Sequence, residues 1–131
     1  YHDMMAHSEV RCAILDAVAS YHRPLVLMMQ ATMQAAAHRA EAAAAGVPLL
    51  FEAFADRCYA DDGSLLDRSQ LGAVHSRERM LTQVAQLMRD STVTTVSGRI
   101  LPLQVDTVCV HGDNPEGVRS IAAIRALLDG D

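Results

Sequence analysis

The stretch DTVCVHGDNPEG, residues 106–117, decides how this sequence is read. A short apolar run stops at His111, Gly112 and Asp113; Pro115 and Glu116 then open a new apolar period. The run reads as a strand buried on both faces. Proline suits the first turn of a helix, and Asp113 or Asn114 stands where a cap belongs. The stretch is therefore one step from strand to helix. In parallel α/β folds, chemistry gathers beyond that end of the strands.

The same alternation recurs upstream. Residues 3–20 predict a helix with Val10, Ala13, Ile14, Ala17 and Val18 on one face, and Pro24 breaks it. Residues 24–29 predict a buried strand, and residues 32–45 an alanine-rich helix opened by Thr32 and closed by Gly46. Residues 47–55 predict a second buried strand with Glu52 near its far end. Residues 56–74 lack a sustained period and read as a long loop, of the kind that is functional or mobile. Residues 77–89 are amphipathic, with Met80, Leu81, Val84, Leu87 and Met88 as the apolar stripe. Residues 92–104 predict a hairpin turning at Ser97 and Gly98. The last helix carries Val118, Ile121, Ala122, Arg125 and Leu128 at helical spacing. This order implies one α/β domain over residues 1–131 with a parallel sheet. About three core strands are too few to close a barrel, so the chain reads as half of a larger unit.

Composition narrows the function. Half of the 131 residues are hydrophobic and the net charge is −5, which argues against a nucleic-acid surface. All eleven basic residues are arginine, so a P-loop of the usual kind and lysine Schiff-base chemistry are excluded. No run approaches the roughly 20 apolar residues of a membrane span. No signal peptide is visible, and the absence of an initiator methionine suggests a fragment or processed product. Cys12, Cys58 and Cys109 form no CxxC spacing; they read as small buried hydrophobes in a reducing cytoplasm. His2, His7, His22, His38 and His75 are scattered and read as surface residues.

If the strands are parallel, Glu52, Asp56, Arg57, Tyr59, His111 and Asp113 gather around one cleft. A carboxylate and an imidazole exchange protons near neutral pH. Arg57 suits a carboxylate or phosphate. Plainer roles stand beside these: Asp113 as a helix cap, Arg57 as a loop brace against Asp56 or Asp61, His111 as a core histidine. A metal site from His111, Asp113 and Glu52 is conceivable, but the spacing does not specify one.

Two long motifs carry a resemblance. FEAFADRCYADDGSLLDRSQLGAV, followed by TVCVHGD, resembles the LamB/YcsF family, which includes the A subunit of bacterial ATP-dependent 5-oxoprolinase. The family pattern E-x-F-A-D-R-x-Y-x-x-D-G-x-L-x-x-R meets Glu52, Phe54, Ala55, Asp56, Arg57, Tyr59, Asp62, Gly63, Leu65 and Arg68. Its T-x-C-x-H-G-D meets Thr107, Cys109, His111, Gly112 and Asp113. Tyr1 matches the tyrosine of the family's K-P-H-G-x-L-Y-N, which places this chain as the C-terminal half of the family domain. His2 stands where Asn is usual, Cys58 where Gly is common, and VLMMQATMQ replaces a glycine-containing segment.

The resemblance implies a distorted β/α barrel of the glycoside hydrolase and deacetylase type. It implies ATP-driven opening of the 5-oxoproline lactam to glutamate, with subunits B and C as partners and a cytoplasmic setting. A divalent cation is compatible with it, and the nucleotide site is left open. His111, Asp113 and Glu52 are the expected catalytic residues, and Asp56, Arg57, Tyr59 and Tyr1 the expected substrate-binding ones. The isolated chain is expected to be inactive. The alternatives are a metal-dependent deacetylase-like hydrolase and a non-catalytic half-barrel that assembles, for example as a homo-oligomer.

Overall fold

The computed structural model describes residues 1–130 as five helices and five strands. Strands β1 (Leu27–Gln30), β2 (Leu49–Phe54) and β5 (Thr107–Cys109) form a parallel sheet in the order β1-β2-β5. Strands β3 (Thr92–Thr94) and β4 (Ile100–Pro102) form the expected hairpin, with Gly98 at φ 89° in its turn. The helices are α1 (His2–Ala6), α2 (Ser8–Ala19), α3 (Ala35–Ala44), α4 (Arg77–Asp90) and α5 (Pro115–Asp129).

Register assigns the two faces of the sheet their tasks. Leu27 pairs with Leu49, Met29 with Phe51, and Ala53 with Val108. These residues share one face, because side chains alternate along a strand. That face packs on Leu15, Ala35, Ala42 and Leu87 at one end and on Val84 and Ile124 at the other. The opposite face carries Met28, Gln30, Leu50, Glu52, Phe54, Thr107 and Cys109. Its lower part, Met28 and Leu50, is exposed, while Gln30, Glu52 and Phe54 at the carboxyl end are buried. Asp106 fixes β5 beside β2: its N–H donates to Phe51 O at 2.8 Å, and its Oδ2 accepts from Phe51 N at 2.8 Å.

Several expectations need correction. The first helix is two, because His7 is extended at φ −121° and ψ 114° between them. On α2 Arg11 and Leu15 are buried and Ile14 and Val18 half-buried, leaving Val10, Ala13 and Ala17 outside. Arg11 is stabilised there by Glu41 and by Met4 O, 2.9 Å from its Nη1. Strand β1 starts three residues later than predicted, since Pro24, Leu25 and Val26 run exposed before it. Gln34, rather than Thr32, occupies the N-cap of α3. Met88 is exposed, outside the buried stripe of α4. Cys12 is exposed, whereas His38 and His75 are buried.

Helix α5 turns the opposite way from its predicted face. Val118, Ile121, Arg125 and Leu128 look outward, and Gly117, Ser120 and Ile124 are buried. Small residues let α5 approach closely: a Cβ on Gly117 would lie 2.7 Å from Val110 Cγ1. Arg77 ties α4 to α5 through Arg119 O at 3.2 Å and Ser120 Oγ at 3.4 Å, and Glu116 Oε2 accepts from Arg77 N at 3.0 Å.

Candidate active site

The parallel sheet opens its carboxyl ends on one side, and there Asp56 meets His111. Asp56 follows β2 and is 1% exposed; His111 follows β5 and is partly exposed. His111 Nδ1 lies 2.9 Å from Asp56 Oδ1 and 3.2 Å from Oδ2. The His111 backbone N–H donates to the same carboxylate at 3.3 Å, and Asn114 Nδ2 adds a contact at 3.4 Å. With the proton on Nδ1, as a carboxylate partner favours, Nε2 carries a free lone pair. Phe54 fixes the ring by stacking on it, with centroids 5.2 Å apart and planes 13° apart.

Glu52 lies one turn of the pleat below. The Tyr1 hydroxyl donates to Glu52 Oε1, and the Tyr1 ring meets Phe54 edge-on at 6.0 Å. Burial first, then the Glu52 and Asp56 carboxylates, push the Cys109 thiol up to about 11. At neutral pH it is therefore a thiol and a poor nucleophile.

Other expected site residues are placed differently. Tyr59 is wholly buried, its hydroxyl accepts from Phe54 N at 2.9 Å, and burial drives its phenol far upward. It supports β2 from within the core rather than facing a substrate. Arg57 is 7% exposed and donates through Nη2 to Leu66 O at 2.5 Å. Burial, then the neighbouring Arg68 cation, lowers its pKa. The loop over residues 56–74 folds back on itself and on the hairpin through bridges from Arg57 to Val74 and from Tyr59 to Leu65 and Thr95. Asp61 accepts from Thr95 Oγ1 and Ser97 Oγ, and Gln30 Nε2 reaches Gly63 O at 3.2 Å.

Asp113 does not cap α5; Asn114 does, accepting from Glu116 N at 3.1 Å. The Asp113 carboxylate is exposed and bound by Arg68 Nη1 at 2.5 Å, a contact that holds it well below the ordinary carboxylate range. It is ionised at neutral pH. The set His111, Asp113 and Glu52 is thus not drawn together for a cation. Among the described residues, no group of three or more His, Cys, Asp or Glu side chains stands ready to hold a metal ion.

Gln83 was not foreseen. It sits on α4, 5% exposed, and its amide donates to Phe54 O at 2.7 Å and Arg57 O at 2.9 Å. Its Oε1 lies 3.2 Å from His75 Nε2, and the His75 backbone N–H donates to Asp56 O at 2.9 Å. The backbone on both sides of Asp56 is therefore held from α4. The signal was present, since a glutamine three residues after Met80 and one before Val84 interrupts the apolar stripe.

The LamB/YcsF family model matches residues 1–131. The chain belongs to the LamB/YcsF family. A 5-oxoprolinase A subunit from Vibrio cholerae is 46% identical over 130 residues, covering 98% of this chain and 52% of that relative. The second-numbered 5-oxoprolinase A subunit of Pseudomonas putida is 44% identical over 131 residues, 99% of this chain and 51% of its own length. The solved lactam utilization protein of Thermus thermophilus matches with a TM-score of 0.78 at 25% identity, over 99% of this chain and 51% of the other. This LamB/YcsF chain thus spans about half the length of the relatives it matches. No helix among the described residues is long and apolar enough to cross a membrane.

Proposed function

We propose that this LamB/YcsF chain contributes the His111 side of a lactam-opening site in a protein like the 5-oxoprolinase A subunit. The observation that carries the reading is the Asp56–His111 pair at the carboxyl ends of two adjacent parallel strands. It supplies an oriented imidazole where such folds place their chemistry.

In this reading His111 Nε2 takes a proton from the water that attacks the lactam carbonyl. Asp56 holds the ring and stabilises the imidazolium that forms. The tetrahedral carbon then releases its ring nitrogen, which needs a proton, and the imidazolium is the donor at hand. Glu52, bonded to the Tyr1 hydroxyl, positions the substrate on the sheet face. Asp113 acts as an anion at the rim.

A five-membered lactam is an unstrained amide, so ATP is assigned the activation that hydrolysis alone lacks. The nucleotide, and subunits B and C, belong to the complete assembly in this reading. The chain is one half of a distorted β/α barrel, consistent with a sheet that leaves Met28 and Leu50 exposed opposite its packed face. A cytoplasmic setting fits three free cysteines.

The test is steady-state opening of 5-oxoproline by the complete protein with its partner subunits. His111→Ala is expected to lower kcat by about 10²-fold or more, the usual range for general acid–base catalysis. Near wild-type rates in both His111→Ala and Glu52→Gln would sink the reading.

A further inference from the structure

We propose that Arg68, on the loop over residues 56–74 and in contact with Asp113, recognises the carboxylate of the substrate. The inference rests on the lactam reading, because 5-oxoproline differs from a plain five-membered lactam by that one carboxylate.

A carboxylate needs a cation that can reach it without dismantling the protein. Arg57 does not meet this condition. Its side chain is enclosed, its Nη2 serves Leu66 O, and its Nε is buried without a partner. Turning it toward a ligand would pull apart the loop that it braces.

Arg68 meets the condition. Its side chain is 44% exposed, and its guanidinium rests on Asp113, two residues beyond His111. Asp113 is itself 65% exposed, and surface pairs of this kind contribute little to stability. A substrate carboxylate can therefore replace Asp113 at small cost, and the displaced side chain is solvated by water. The planar fork of arginine matches a carboxylate through two parallel hydrogen bonds. Asp113 thus marks the place on Arg68 that the substrate carboxylate would take.

The experiment uses the complete protein with its partner subunits, as wild type, Arg68→Met and Arg68→Lys. The readouts are lactam-opening kinetics and thermal stabilisation by 5-oxoproline compared with 2-pyrrolidinone, which lacks the carboxylate. Arg68→Met is expected to raise KM for 5-oxoproline about 10- to 100-fold, with kcat changed far less. It should abolish the extra stabilisation by 5-oxoproline over 2-pyrrolidinone, and Arg68→Lys should retain part of it. Because Arg68 is exposed, the unliganded melting temperature should stay at the wild-type value. An unchanged KM together with unchanged carboxylate-dependent stabilisation overturns the inference and leaves the lactam reading intact. If wild type opens no lactam, the lactam reading fails alone and binding decides. Carboxylate-dependent stabilisation lost in Arg68→Met then supports the role of Arg68, and its absence from wild type overturns it.

Discussion

Asp56 and His111 are 55 residues apart in the chain, yet their side chains meet at 2.9 Å. The register Glu52↔Thr107 and Phe54↔Cys109 brings them together, by carrying the two chain segments past the sheet in step.

Asp56→Asn keeps the size of the side chain and removes its charge. The amide can accept from Nδ1 but does not stabilise an imidazolium. In lactam opening by the complete protein with its partner subunits, the reading proposed above expects kcat to fall about 10²-fold with little change in KM. A wild-type kcat in the variant would separate Asp56 from the chemistry.

Gln83→Leu tests the support behind the site. The substitution fits the apolar stripe but leaves Phe54 O, Arg57 O and His75 without their partner. Each buried group so orphaned costs about 1–3 kcal/mol. Urea denaturation should show a loss of at least about 2 kcal/mol, and activity should fall even where the fold persists. A loss under about 0.5 kcal/mol would mean that the contacts to Gln83 are dispensable.

Gly117→Ala asks how close the approach of α5 really is. The new methyl would meet Val110 Cγ1 at 2.7 Å, on the segment that leads directly into His111. Overpacking of this kind costs about 1–3 kcal/mol, although alanine improves helix propensity. A lowered melting temperature is expected; a raised one would show that α5 has room to move away.

Acid should weaken the fold through two buried histidines. Burial holds His38 and His75 below the ordinary value of 6.5. For His38 the Arg11 cation adds to the effect, and for His75 the Arg79 cation does, against the raising influence of Gln83. The unfolded chain then binds these protons more readily than the folded one. Stability is complete above pH 6.5 and declines as the pH falls below it. Thermal melting between pH 7.5 and about 5 should show this decline, and a double His38→Gln, His75→Gln variant should flatten it. A flat wild-type profile would contradict the burial of both rings as neutral groups.

The strand–helix order, the hairpin and the capped start of α5 were legible, because each rests on local pattern and turn chemistry. Glu52, Asp56 and His111 could be placed on one side because parallel strands share a direction. What escaped the sequence depends on contacts between distant segments. Arg57 and Tyr59 look like exposed loop residues until the loop closes over them. The buried face of α5 is hidden because Gly117 and Ser120 make the contact, and hydrophobic periodicity gives no weight to small residues. The break at His7 has no proline or glycine to announce it.

The clamp between Asp106 and Phe51 has a consequence beyond holding one short strand. In a sheet, sliding a strand by one residue exchanges its faces. With β5 out of step, Val108 would turn toward the face that carries Glu52 and Phe54 and the thiol of Cys109 toward the helices, and His111 would move away from Asp56. One aspartate, five residues before the imidazole, therefore decides which of two mirror-alternate surfaces this edge of the molecule presents. A single-residue insertion between Asp106 and His111 would silence the site without touching any of its members, whereas insertions at the exposed tip of the hairpin should be borne.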